Sequence, residues 1–139
     1  WGKVWKINLM NEEASIFTFG HRNPSGIVKL SDNSLIEVEQ GSQGGDEINN
    51  LEINKNYGWP LSSYGKNYSS DISSGQFKTI ENNHDFGAKP LLVFVPSPAF
   101  SSITTLRTSS SKYWQNSNGE SDLFISSLKA SSVYRCRLP

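Results

Sequence analysis

Two short stretches carry the residue types that chemistry would need. The first is Gly20-His21-Arg22-Asn23-Pro24-Ser25-Gly26, and the second is Glu39-Gln40-Gly41-Ser42-Gln43-Gly44-Gly45-Asp46-Glu47. A planar guanidinium at Arg22 beside the Asn23 carboxamide can grip a carboxylate or polarise a quinone carbonyl, although the same pair can also simply tie down a turn. Pro24 fixes the chain direction there, and Gly26 permits close approach. In the second stretch a tight glycine-rich turn can aim backbone carbonyls at one point, with Asp46 and Glu47 close behind. Calcium accepts such neutral oxygens together with carboxylates and tolerates irregular geometry. The spacing differs from the regular acidic pattern of a helix-loop-helix calcium loop. Phosphate cradling is disfavoured, because neither a following helix nor a Lys accompanies the glycines. Zinc is not supported, since no His or Cys pair stands at ligand spacing. His21 reads as a packing or hydrogen-bonding histidine, because in an extended chain its neighbours point to the opposite side. His84, in an Asn-Asn-His-Asp loop, reads as solvated.

The elements that must position these residues are strands. Apolar and polar residues alternate in Val4-Trp5-Lys6-Ile7-Asn8-Leu9, Ser15-Ile16-Phe17-Thr18-Phe19, Leu35-Ile36-Glu37-Val38-Glu39 and Asp122-Leu123-Phe124-Ile125-Ser126, and no segment sustains a helical stripe. The class is all-β. Internal echoes refine this. Ile16-Phe17-Thr18-Phe19 leading to Pro24-Ser25-Gly26-Ile27 is answered, at one constant offset, by Leu92-Val93-Phe94-Val95 leading to Phe100-Ser101-Ser102-Ile103. Ser34-Leu35-Ile36 pairs with Asp122-Leu123-Phe124 at a larger offset, which puts an insertion within Arg107 to Asn118. Val4-Trp5-Lys6 is echoed by Val133-Tyr134-Arg135. Repeats of this length, each of about four short strands, suggest blades of a β-propeller. The expected organisation is one partial propeller domain over 1–139: a blade unit at about 10–55, a loop excursion at 56–89 and a second blade unit at about 90–139. Two blades do not close a ring, so the chain is expected to be part of a longer parent.

Composition bounds the function classes. Thirteen basic and thirteen acidic residues cancel, so no broad positive field draws in nucleic acid or an anionic membrane. The longest apolar run, Leu91 to Val95, is far too short to span a bilayer. The lone Cys136 falls in a strand alternation and reads as a structural thiol. Asn67-Tyr68-Ser69 matches the glycosylation acceptor pattern, a triplet common by chance.

Taken together, Gly-His-Arg-Asn-Pro-Ser-Gly, Glu-Gln-Gly-Ser-Gln-Gly-Gly-Asp-Glu-Ile-Asn, and Asn56-Tyr57-Gly58-Trp59-Pro60 with Ser63-Tyr64-Gly65 resemble, in order and spacing, the soluble quinoprotein glucose/sorbosone dehydrogenases. The aldose sugar dehydrogenase branch is the most similar. The resemblance runs through nearly the whole chain, since Val95-Pro96-Ser97-Pro98-Ala99 and Ser127-Leu128-Lys129 match further segments of that family. It implies a six-bladed β-propeller that binds pyrroloquinoline quinone (PQQ) and calcium and oxidises the anomeric carbon of aldoses to lactones. It further implies that Arg22 and Asn23 contact the quinone, with Arg22 polarising it. Gln40 and Asp46 would line the site, Ser97 and Lys129 would hold the cofactor's carboxylates, and the backbone oxygens of Gly41 and Ser42 would ligate its calcium. Glu47 and the Tyr57 backbone match a second calcium site of some members.

The resemblance also implies an aldose substrate, an external electron acceptor, a periplasmic or secreted parent and a possible homodimer. The family's catalytic His is expected upstream of Trp1, and further cofactor-binding arginines beyond Pro139. Departures are present too. Ser42 stands where many members have Pro, Phe100 and Ser101 replace a Pro-Ser pair, and Val95 replaces an aromatic that some members place near the sugar. A non-catalytic calcium-binding propeller acting as an extracellular binding module is the alternative from another class, and a truncated product that never folds is a third.

Overall fold

A computed structural model describes residues 2–68, 80–81, 84–105 and 122–138. The expected insertion within 107–118 lies outside the described residues. Among those described, every regular element is a strand: β1 Lys3–Ile7, β2 Ala14–Phe19, β3 Pro24–Lys29, β4 Leu35–Glu39, β5 Asp46–Asn50, β6 Ser62–Ser63, β7 Ile80–Glu81, β8 Leu92–Phe94, β9 Phe100–Thr105, β10 Asp122–Ser127 and β11 Ser132–Arg137.

Local turn chemistry explains the first hairpins. Between β1 and β2 the Asn8 carboxamide oxygen accepts from Met10 N at 3.0 Å, and Glu12 takes a left-handed backbone at φ 59°. Between β3 and β4 the Asp32 carboxylate accepts from Ser34 N at 2.9 Å and Ser34 Oγ at 2.6 Å, with Asn33 at φ 72°. Asn8 and Asp32 suit these turns because their short side chains accept from the local backbone, and Asn tolerates the left-handed region at position 33.

Strand pairing then builds successive antiparallel sheets. β1 pairs with β2, the central sheet runs β3-β4-β5-β8, and the last runs β11-β10-β9. A small parallel pair, β6 with β7, lies in the excursion. The central sheet is completed from across that excursion, since Asp46, Glu47 and Ile48 pair with Phe94, Val93 and Leu92. The echoed segments occupy comparable places: β4 and β10 are each the second strand of their sheets, and β2 and β8 each precede the first strand of the next.

The core lies between the central and last sheets, where Ile36, Val38 and Ile48 pack against Phe100, Ile103, Leu123 and Ile125. Period two puts the opposite residues of β4 and β5 on the other face, where Glu37, Glu39, Glu47 and Asn49 cluster with Glu39 directly across from Glu47. That face is buried as well. Cys136 is half-buried at the edge of the core and burial raises its thiol pKa, in keeping with a structural role. At the rim of the last sheet Asp122 accepts from Arg135 Nε at 2.7 Å and Arg137 Nε at 3.3 Å.

Candidate functional site

The site forms where β2 hands over to β3 and where β4 turns into β5. Gly20 lies at φ 78°, and a Cβ there would sit 1.9 Å from the Asn56 side chain, so only glycine lets the chain leave β2 toward the cleft. Arg22 follows. Its backbone N donates to Glu39 Oε2 at 2.8 Å, and its Nη1 donates to the Gln40 carbonyl at 2.9 Å. The guanidinium lies 5.5 Å from the Trp59 ring centroid and 6.0 Å from that of Tyr68, within reach of cation–π attraction to both. A cation held by one carbonyl and two ring faces is oriented before any ligand arrives.

The turn after β4 is held just as firmly. Gln40 N donates to the Asn23 carbonyl at 3.1 Å, and Gln40 Nε2 donates to the Phe100 carbonyl at 2.6 Å. A Cβ on Gly41 would stand 2.0 Å from the Gly44 carbonyl oxygen, so the loop closes this tightly only with glycine there. Ser42 Oγ donates to the Lys66 carbonyl at 2.5 Å, and Tyr68 OH donates to the Ser42 carbonyl at 2.8 Å. These bonds supply from side chains some of the fixity a Pro would lend the turn. From the next sheet come Ser97, whose Oγ accepts from Ala99 N at 3.1 Å, and Lys129, whose backbone N donates to the Pro98 carbonyl at 3.2 Å.

These elements enclose one cleft of about 580 Å³, walled by Arg22, Asn23, Gln40, Gly41, Ser42, Ser97 and Lys129, with Tyr68 at its side. The expected quinone-contacting and carboxylate-holding residues therefore converge, except Asp46. That carboxylate is wholly buried and lies beneath the cleft instead of in its wall. Its Oδ1 accepts from Gly41 N at 3.1 Å and its Oδ2 from Phe100 N at 3.0 Å, which fastens the glycine turn to β9.

Glu47 and Tyr57 line a separate void of about 10 Å³ with Glu39 and His84, room for one small ion or water. Burial, then the charge of Glu39, pushes the Glu47 carboxyl up to about 9. His84 corrects the expectation of a solvated histidine. Its side chain is buried, its ring stacks on Tyr64 at 5.4 Å, and its Nε2 stands 3.5 Å from Glu47 Oε1. Burial lowers the pKa of that imidazole, opposed chiefly by the charge of Glu39. The loop carrying His84 folds back onto the 56–58 turn, where Ala88 N donates to the Asn56 carbonyl at 2.7 Å. His21 meets its expectation: it is fully buried, stacked on Tyr57 at 4.6 Å and bonded through Nε2 to Thr18 Oγ1 at 2.9 Å.

Sequence reasoning passed over Trp59 and Tyr68 as partners of Arg22, and over the acids of β4. Alternation put Glu37 and Glu39 on one strand face but gave no sign that this face is covered, since antiparallel sheets commonly leave one face to water.

Consecutive antiparallel sheets with a polar cleft where their loops meet define a partial β-propeller. The family model "Glucose / Sorbosone dehydrogenase" matches residues 4–139, and the chain belongs to that family. It is 36% identical over 131 residues to the aldose sugar dehydrogenase YliI of Escherichia coli, covering 91% of this chain and 32% of that protein. It is 47% identical over 70 residues to quinoprotein glucose dehydrogenase B of Acinetobacter calcoaceticus, covering 42% of this chain and 15% of that one. A crystal structure of a glucose dehydrogenase superposes with a TM-score of 0.75 at 29% identity, over 96% of this chain and 36% of that chain. The chain thus spans a third or less of the length of the curated relatives it matches.

Proposed function

We propose that the chain is the cofactor-bearing part of a calcium-assisted quinoprotein sugar dehydrogenase that oxidises the anomeric carbon of an aldose to a lactone. One observation carries the reading: Arg22, Asn23, Gln40, Gly41, Ser42, Ser97 and Lys129, drawn from four separate chain segments, wall a single cleft. The donor set fits PQQ, a tricarboxylate quinone. Two cations, a hydroxyl and carboxamides suit its carboxylates and carbonyls, and the Gly41 turn leaves no room for a Cβ where carbonyls must approach an ion. When bound, the quinone supplies hydride acceptance and the calcium draws electron density from it.

The chain's own residues bind and orient. Arg22, held by the Gln40 carbonyl, would offer a fixed positive charge to the quinone, favouring its uptake of electrons. Ser97 accepts from Ala99 N, which leaves its hydroxyl hydrogen available to a carboxylate, and Lys129 brings an ammonium to the same cleft. The Gly41 and Ser42 carbonyls are the calcium ligands in this reading. Ser42's second lone pair remains available beside the Tyr68 bond. Asp46 acts through Gly41, as a positioning residue. Glu47 and the Tyr57 carbonyl are the ligands of a second calcium, which the void beside them can accommodate. The same reading gives the parent an aldose substrate, an external electron acceptor, a periplasmic or secreted location and a possible homodimeric state.

The test is reconstitution of the full-length parent protein. Dye reduction by aldoses should start when the quinone and calcium are added to apoprotein, and should fall in the Arg22→Ala variant. A rate no higher than the apo control would refute the enzyme reading in favour of the binding module.

A further inference from the structure

On the acidic face of β4 the buried side chains of His21, Glu37 and Glu39 face one another with an unmet demand. His21 spends Nε2 on Thr18 Oγ1, which leaves Nδ1 fully buried with no hydrogen-bond partner. That nitrogen points between two carboxylates, 3.7 Å from Glu39 Oε2 and 3.9 Å from Glu37 Oε2. Glu37 Oε1 is buried and unpartnered as well. One ligand atom from each of the three residues lies within 4.8 Å of the others.

We infer that His21, Glu37 and Glu39 form a structural site for a divalent transition metal of the zinc type, away from the Gly41 turn and sharing only Glu39 with the lining of the void beside Glu47 and Tyr57. The spacing is close to what such an ion needs. Bonds of about 2.1 Å in tetrahedral geometry hold neighbouring ligand atoms about 3.4 Å apart, so the two distances from His21 Nδ1, 3.7 and 3.9 Å, need to close by only a few tenths of an ångström. Each ligand already has an orienting partner. Thr18 holds the His21 ring, Asn49 Nδ2 donates to Glu37 Oε2 at 3.1 Å, and Arg22 N donates to Glu39 Oε2 at 2.8 Å. Such outer contacts fix the tautomer and the carboxylate rotamers at metal centres. The imidazole selects the metal class, since calcium takes six or more oxygens and this pocket offers few. Burial, then the charge of Glu39, also pushes the Glu37 carboxyl well above its ordinary value, a cost that a bound dication removes. Glu47, across the sheet from Glu39, and Arg22 and His84, beside Glu39, are charged or titratable neighbours among the described residues.

The reading does not rest on the quinone site, and its test keeps calcium saturating throughout. Full-length parent protein, stripped with chelator and reloaded with calcium, is titrated with Zn2+ and, separately, with Co2+, whose visible bands report imidazole and carboxylate ligation. Metal content is measured after desalting. The wild type should retain one more Zn2+ per chain than His21→Gln or Glu37→Gln, with calcium content unchanged. Thr18→Val, which keeps all three ligands, should weaken Zn2+ about 10–100-fold, and it remains informative if the ligand variants fail to fold. Equal Zn2+ retention by wild type and all variants, no retention by wild type, or mole-for-mole displacement of calcium would each overturn the assignment.

Discussion

Removing the Asp46 carboxylate tests whether the cleft is built from beneath. Asp46 is wholly buried and bonds two backbone donors, Gly41 N at 3.1 Å and Phe100 N at 3.0 Å, so one side chain joins the glycine turn to the next sheet. In Asp46→Ala both N–H groups lose a charged acceptor in a dry environment. At about 1.5–3 kcal/mol for each bond to a charged group, the expected loss is about 3–5 kcal/mol, allowing for some relaxation. Asp46→Asn keeps one acceptor oxygen but turns an amide NH2 toward the other donor, so about half that loss is expected. Urea unfolding of the full-length parent, followed by tryptophan fluorescence and circular dichroism, reads both values from the shift in midpoint at constant slope. The same variants should need about 10–100-fold more calcium for half-maximal reconstitution, the usual effect of removing an outer partner of a metal ligand. An Asp46→Ala protein that loses less than about 1 kcal/mol and titrates with calcium like the wild type would refute the argument.

Other substitutions probe the remaining parts. Arg22→Lys keeps the charge but gives up the planar contact with Trp59 and Tyr68 and the fixed bond to the Gln40 carbonyl; kcat of the reconstituted parent should fall by about 100-fold with little change in thermal midpoint. Gly41→Ala puts a methyl group against the Gly44 carbonyl, so quinone binding, followed by its absorbance, should be lost while the parent still unfolds cooperatively. In calcium-free protein the Glu47 carboxyl keeps its proton up to about pH 9, whereas the unfolded chain releases it near 4.5. The folded state therefore binds more protons across that window and should lose stability as pH rises through it, by up to about 1.4 kcal/mol per pH unit. Denaturant midpoints at pH 5, 6, 7 and 8 check the slope, which saturating calcium should flatten; a calcium-free midpoint that climbs with pH would contradict the buried-acid account.

The sequence alone determined the class and the strands, and through the family resemblance it singled out residues that wall the cleft. Alternation over a few residues is a local property: Leu35 to Glu39 and Asp122 to Ser127 announce strands because a pleated backbone turns successive side chains to opposite faces. Arg22 and Gly41 drew attention as a guanidinium and a glycine turn at strand ends, a pattern that can equally tie down a turn, and Gln40 entered through the family resemblance. What the long segment between β5 and β8 covers was not legible. His84 looked like a solvated loop residue, and Glu37 and Glu39 looked like the polar side of an ordinary alternating strand. Only the folded chain brings the histidine onto Tyr64 and Glu47, encloses the acids, and seats Tyr68 against Arg22 and the Ser42 carbonyl. Those contacts join residues far apart in the chain, and their formation depends on the free energy of closing a long loop over a polar face. No local pattern encodes that quantity.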